Sequence, residues 1–310
     1  MKEEKRWGKT FVDNRNWIEY NEELVVRGEF MLELDWVKSW DKELEQMNKG
    51  KVGAQYEFPE SLIRLQAVWH QLIDFRGIEG VTRKLVEVAK LPAFNDYTTI
   101  NRRVNKTEIG FILPKQGTVS ASCDGTGIKM TNGGEYKQTK YGKKKRKFIR
   151  VTITADPINK KLLACDACID GEGLSEQETA QSHIDELTGK GLNIDKFWGD
   201  GAFDAKGMFN KLQCHGIESA IKIRENASTK ARGSMRRSRE VEEYKEKGYK
   251  KWAKDKQYGL RWVGTEGIFS AVKRKFGDNA RSKAVGNMLR ESMRKFWAYD
   301  WIQQYAKARV

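Results

Sequence analysis

The sequence predicts an α/β protein: a catalytic domain with a mixed sheet flanked by helices, preceded by an all-α N-terminal domain. Three observations predict it. Apolar residues recur at helical spacing up to about residue 106, the period switches to alternation from Gly117 onward, and after the third strand helices and strands take turns to the end of the chain. At 310 residues there is enough chain for a substantial core and a smaller accessory domain, here read as 1–106 and 107–310.

In the N-terminal part, Val37, Trp40, Leu44 and Met47 recur on one helical face before Gly50, and Leu62, Leu65, Trp69 and Leu72 do so after Pro59, which suits a first helical turn. A third helix is expected from Gly80 to Lys90 with Val81, Leu85 and Val88 inward, and a short one over Asp96–Lys106 with Ile100 and Val104 inward. The outer face of that last helix carries Arg102 and Arg103, so the pair reads as a helix-turn-helix that presents a small basic helix to DNA, or as an ordinary solvated pair.

Beyond Gly117, strands are expected at 118–124, 147–155, 161–169, 194–199 and 217–223, and helices at 175–189, 204–214, 265–277 and 283–307. Ser175-Glu176-Gln177-Glu178 is a capping box for the first of these helices, and Asp204 is placed to cap the second. This order matches the topology of the ribonuclease H-like fold. Residues 225–258 form a polar insertion crowded with Lys and Arg, either a clamp for a phosphate backbone or a solvated loop, and Lys143-Lys144-Lys145-Arg146-Lys147 reads the same way.

Lys and Arg number 58 against 43 Asp and Glu, a net charge of +15, which favours a polyanion partner through phosphate neutralisation. No stretch approaches the ~18 apolar residues that span a bilayer. The N-terminus Met1-Lys2-Glu3-Glu4-Lys5-Arg6 lacks an apolar signal core, so a cytosolic protein is expected. Cys165 and Cys168 make a C-x-x-C, but an offset of three along a strand sends them to opposite faces, against a zinc site. His70, His183 and His215 suit packing or surface roles.

The chemistry lies in the acids. Asp124 ends the run Val119–Cys123 and opens Gly125-Thr126-Gly127; Asp200 ends Phe197-Trp198-Gly199 and opens Gly201-Ala202-Phe203; Glu266 starts an amphipathic helix. Strand ends and helix starts let remote carboxylates converge. Phosphodiester cleavage needs an activated nucleophile and charge relief at the leaving oxygen, which two divalent ions ~4 Å apart supply, and Mg²⁺ or Mn²⁺ takes carboxylate oxygens. Asp156, Asp166, Asp170, Asp195 and Asp204 also lie near strand ends and are competitors. In Tyr258-x2-Arg261-x4-Glu266-x6-Lys273, Glu266 and Lys273 share a helix face, and Arg261 and Lys273 are suited to phosphates flanking a scissile bond. Trp252 and Trp262 are candidates for stacking on a displaced base, although Trp262 reads more simply as core.

With these stretches, together with Ile221-Lys222-Ile223-Arg224 and Gly264–Gly277, the chain resembles the DDE transposases of bacterial and archaeal insertion sequences, nearest to insertion-sequence family five. That group carries a Tyr, Arg, Glu, Lys pattern around the third acid, usually with one residue fewer between Arg and Glu than here. The resemblance covers most of 117–300. It implies a ribonuclease H-like catalytic domain with Asp124, Asp200 and Glu266 as ligands of two Mg²⁺ or Mn²⁺ ions, and Tyr258, Arg261 and Lys273 as DNA-handling residues. It also implies N-terminal helices that recognise terminal repeats, cleavage that frees a 3′-hydroxyl at each transposon end, direct attack of that hydroxyl on target DNA, and at least a dimer on DNA. Two rivals are a DNA-binding regulator or domesticated transposase that keeps the fold without cutting, and a host nuclease of the same fold acting on RNA or repair intermediates.

Overall fold

Alternating apolar residues build five strands in the computed structural model, which describes residues 15–114, 117–131 and 147–310. They are β1 (Thr118–Lys129), β2 (Phe148–Asp156), β3 (Lys161–Ile169), β4 (Asn193–Gly199) and β5 (Glu218–Ile221), in the order β3-β2-β1-β4-β5. β1–β2 and β2–β3 are antiparallel; β1–β4 and β4–β5 are parallel. This mixed sheet flanked by helices is the ribonuclease H-like arrangement. The basic run at 143–147 lies outside the described residues apart from Lys147.

Both faces of the sheet are covered, and strand alternation sorts the side chains between them. Ile149, Val151, Ile153 and Ala155 of β2 face one cluster, shared with α10 (Glu266–Phe276) and α11 (Val285–Lys307). The opposite face sets Val119, Ala121 and Cys123 of β1 against α6 (Glu176–Gly189) and α7 (Lys206–Cys214). The capping box at the head of α6 is present as expected, because Ser175 and Glu178 satisfy each other's backbone N–H groups.

The N-terminal helices are α1 (Trp17–Glu29), α2 (Trp40–Asn48), α3 (Glu60–Trp69), α4 (Phe75–Glu87) and α5 (Tyr97–Val104). Phe30, Ile63, Trp69, Ile78, Ile100 and Val104 join the same cluster as the β2 face, so the two segments that the sequence divides near residue 106 share one apolar core. Ile100 and Val104 are fully buried, as expected. The inward face of α4 differs from expectation: Val81 and Val88 are exposed, while Ile78, Glu79 and Thr82 are buried. Glu79 is held inside because it accepts the N–H of Tyr97 at 2.9 Å, which ties α4 to the start of α5. Residues 88–96 connect these helices, a longer link than a helix-turn-helix uses.

Two further expectations change. The basic segment 225–258 is mostly a helix, α8 (Met235–Asp255), with a break at Gly248 (φ 68). It docks through Val241 and Trp252, and Trp252 packs with Trp198, Ala220 and Tyr258. Asp204 does not cap α7, where Ala205 takes the N-cap position. Its carboxylate instead receives Arg237 of α8 through two bonds of 2.6 and 3.0 Å.

Candidate active site

The register of the two central parallel strands builds the site. Ala121 pairs with Phe197 and Ser122 with Trp198, so two residues further on Asp124, midway along β1, and Asp200, just past β4, stand level where the pairing of the two strands ends. The carboxyl end of a parallel strand such as β4 is where α/β folds present ligand-binding groups. Asp200 leaves the sheet by accepting the N–H of Ala202 at 2.7 Å, which closes the turn Gly201–Phe203.

The segment from Tyr258 to Glu266 crosses this end of the sheet. Tyr258 is buried and donates its hydroxyl to Gly199 O at 3.2 Å, next to Asp200. Burial foremost pushes its phenol up to about 12. The family resemblance implies a DNA-handling role for this tyrosine; in the fold it faces inward and steadies the Asp200 turn. Arg261 donates Nη1 to Asp124 Oδ2 at 2.8 Å, and its buried Nε has no hydrogen-bond partner among the described residues. Short helix α9 (Leu260–Gly264) ends where a Cβ on Gly264 would come within 2.9 Å of Pro157 Cβ and 3.0 Å of Ser122 Cβ. That close approach sets Glu266, the first residue of α10, beside β1.

Gly264→Ala is therefore expected to lose about 1–3 kcal/mol of stability by overpacking. A urea midpoint equal to the parent's would show that α9 can lift off the sheet at no cost, and that the close approach does not fix Glu266.

Asp200 and Glu266 both lie within electrostatic reach of Asp124. Burial foremost raises the Asp124 pKa; the Gly125 N–H and Arg261 pull it down, and Asp200 and Glu266 push it up. Mutual repulsion of this kind is what a bound cation removes. The donors are hard carboxylate oxygens suited to Mg²⁺ or Mn²⁺, and Arg261 already brings a counter-charge to Asp124. In kind, then, the residues fit divalent ions. Among the described residues, however, no three His, Cys, Asp or Glu side chains are drawn together closely enough to hold one.

The competing acids have structural tasks. Asp156 accepts the N–H groups of Ile158 and Asn159, Asp166 pairs with His183 at 2.9 Å, Asp195 accepts the hydroxyl of Ser120 at 2.7 Å, and Asp204 takes Arg237. Asp170 lies 3.8 Å from Arg150. The histidines have packing or pairing roles: His70 stacks on Phe75, His183 sits between Thr154 and Asp166, and His215 contacts Asp185.

Of the residues assigned to DNA, Lys273 is half-buried on α10, its amine made more acidic by burial while Asp278 and Glu266 oppose the change. Arg102 is exposed and lines a groove of about 610 Å³ with Lys51, Tyr56, Phe94 and Lys106. Arg103 is turned inward, paired with Glu60 at 3.0 Å and stacked over Tyr56, so its charge is spent on the fold. On α8, Arg239, Lys250, Lys251 and Lys254 are exposed, whereas Arg237 and Lys247 are ion-paired.

Both tryptophan expectations are reversed. Trp252 is 1% exposed and cannot reach a base, whereas Trp262 is 60% exposed beside Arg261. Trp262 and Val263 line a second cavity of about 610 Å³ with Glu266 and Ser270. Sequence reasoning also missed Glu176, which stands against Gly125. The signal was there, since a capping box uses Ser175 and Glu178 and leaves Glu176 without a task.

Among the described residues, no helix is long and apolar enough to cross a membrane. No solved structure matches the chain. Two family models do, both described as a transposase DDE domain, over residues 117–301 and 25–133; the first spans the whole sheet and its flanking helices, and the chain belongs to the DDE transposases.

Proposed function

We propose that this transposase binds the terminal repeats of its own element, cleaves DNA there, and joins the freed 3′-hydroxyl to target DNA by phosphoryl transfer at Asp124, Asp200 and Glu266. The observation that carries the reading is the β1–β4 register, with two acids level where that pairing ends and Glu266 brought alongside by the close packing of Gly264. Asp124, Asp200 and Glu266 would hold two Mg²⁺ or Mn²⁺ ions, which when bound supply an activated oxygen nucleophile and relief of charge on the leaving oxygen.

The chain's own residues do the positioning. Tyr258 fixes the backbone at Gly199, so the Asp200 carboxylate keeps its aim. Arg261 neutralises Asp124, and its guanidinium is suited to a DNA phosphate beside the acids. Lys273, one face along from Glu266, is suited to the next phosphate. Arg102, Lys51 and Lys106 on the N-terminal groove and the exposed cations of α8 bind flanking duplex. Joining two ends requires at least two copies on DNA, and the substrate is nucleoid DNA in the cytosol.

A labelled duplex carrying the ends of the element, incubated with the purified protein, plasmid target and Mg²⁺ or Mn²⁺, is expected to yield nicked ends and strand-transfer products. Tight binding with no nicking in either metal would overturn this function and favour the non-cutting regulator. Trp262→Ala bears on how the cleaved end is held. Stacking is worth ~1–3 kcal/mol per base, so its loss is expected to weaken binding of duplexes with an unpaired base at the cleavage site ~10-fold. Equal weakening on fully paired DNA would rule out base stacking.

A further inference from the structure

The structure assigns Lys222 and Arg224 to a phosphate-binding pair beside Asp200, a DNA contact separate from Arg261, Lys273 and the groove of Arg102. The inference rests on the function proposed above.

Ile221-Lys222-Ile223-Arg224 leaves the carboxyl end of β5, which runs parallel to β4 with Ile221 opposite Gly199. One residue further on, Lys222 stands level with Asp200. The carboxyl ends of parallel strands are where α/β folds present ligand-binding groups. Burial alternates along the stretch: Ile221 and Ile223 are each 2% exposed, whereas Lys222 and Arg224 are exposed. That period of two turns both cations to the solvent side together.

Hydrogen bonds fasten both residues to the Asp200 turn. The Lys222 N–H donates to Gly199 O at 3.1 Å, just before Asp200. Arg224 donates Nε to Gly201 O at 2.6 Å and Nη2 to Ala202 O at 3.3 Å, just after it. Its own N–H donates to Asp204 Oδ2 at 3.1 Å, on the carboxylate that also receives Arg237 of α8. The guanidinium is thus oriented by two neutral carbonyls, which leave its charge uncompensated and some of its five N–H donors unused. Among the described residues neither Lys222 nor Arg224 forms an ion pair, in contrast to Arg103, Arg237 and Lys247. Lys222 Nζ lies 5.6 Å from the centre of the Tyr249 ring on α8, beside the exposed Lys250 and Lys251, so the pair extends the cations of α8 to the edge of the acids. A fixed guanidinium fork with an ammonium two residues away matches the oxygens of a backbone phosphate. Because Arg224 also clamps the Asp200 turn, a phosphate held there is placed relative to Asp200.

The test is binding of a duplex in EDTA, by fluorescence anisotropy between ~50 and ~200 mM salt, where each phosphate contact contributes ~0.9 to the slope of log K against log salt. Arg224→Gln and Lys222→Gln are each expected to lower that slope by ~1 and to weaken binding ~5–10-fold at ~0.1 M salt. Arg224→Lys keeps the charge and is expected to restore the slope. An arginine that merely clamps the turn would lower the melting temperature on substitution and leave the slope unmoved. Slopes and affinities equal to the parent's in both glutamine variants overturn the inference, and nicking by the parent in Mg²⁺ then leaves the proposed function standing. A parent that shows no salt-dependent binding to DNA overturns both. Should Arg224→Gln fail to fold, Lys222→Gln decides by the same slope, since its side chain makes no hydrogen bond among the described residues.

Discussion

Asp124→Asn is expected to lose metal-dependent DNA cleavage by about three orders of magnitude or more while keeping its fold. An amide is a poor ligand for Mg²⁺ beside a carboxylate, and the charge stabilisation lost is several kcal/mol, at ~1.4 kcal/mol per tenfold in rate. The effect on stability is a balance of two opposed terms. Asparagine can still accept the Gly125 N–H that Asp124 takes at 2.8 Å, but it leaves the largely buried guanidinium of Arg261 without its counter-ion. It also removes a charge that folding disfavours. The Asp124 pKa is raised in the fold, burial foremost, so its ionised form costs stability above the unfolded pKa, and that cost disappears in the neutral variant. The expected net change is about 1 kcal/mol or less, the range in which such opposed terms cancel. Nicking rates of supercoiled plasmid in Mg²⁺, with denaturant unfolding measured on the same preparations, separate the two effects. A variant that keeps a tenth of the parental rate would remove Asp124 from the centre.

The centre was partly legible in the chain because strand-Asp-Gly is a local pattern. Asp124 and Asp200 each follow an apolar run and precede a glycine; Asp200 lies just beyond β4, whereas β1 does not end at Asp124 but runs on to Lys129 through its pairing with β2. Their alignment is not local, since the pairing of Ser122 with Trp198 joins strands separated by two other strands and a helix. The packing of Glu176 on Gly125, outside the three acids, was hidden for the opposite reason: the sequence neighbourhood of Glu176 is fully explained by a helix cap, and only the third dimension sets it against Gly125. The spacing between Arg261 and Glu266, one residue longer than the family group's, falls across a break in the helix at Thr265 (φ −126, ψ −72), and Arg261 still reaches Asp124. Helix α8 is not legible in the chain because its docking residues Val241, Tyr244 and Trp252 are sparse among charges and interrupted at Gly248. Trp262 reads as core from the chain alone because large aromatic residues are highly buried on average. Position 262 lies on the outer side of the five-residue helix α9, whose packing contact is Gly264. The domain boundary near 106 followed a change of period, which records secondary structure and not which elements share a core.

The polar interior of α11 gives the largest stability effect. Glu291, Arg294 and Lys295 are essentially fully buried, contrary to the rule that charges face water. Each has a defined partner. Glu291 accepts the N–H groups of Arg281 and Ser282 at 2.9 and 2.8 Å and the Ser282 hydroxyl at 2.6 Å. Arg294 donates to Val104 O at 2.9 Å, at the end of α5, and Lys295 donates to Phe276 O at 2.6 Å, at the end of α10. Cations at the carboxyl ends of helices complement the helix dipole, so α11 fastens an N-terminal helix and the helix of Glu266 to the same support. Burial alone would raise the Glu291 pKa, but the Ser282 hydroxyl and the Arg281 and Ser282 N–H groups outweigh it and hold the carboxyl below its ordinary value. Glu291→Ala removes the only acid in this group and leaves Arg294 and Lys295 buried with less compensation. The expected loss is about 3–5 kcal/mol, the cost of breaking a buried charge network on one side. Because the folded pKa is depressed, the stability that Glu291 supplies is present in full above the unfolded carboxylate pKa, ~4.3, and is lost as pH falls through the folded value. Guanidinium unfolding at pH 7 and pH 4 should therefore show a gap between parent and Glu291→Ala that is largest at pH 7 and narrows in acid. An equal gap at both pH values would show that Glu291 acts through packing, with its charge playing no part.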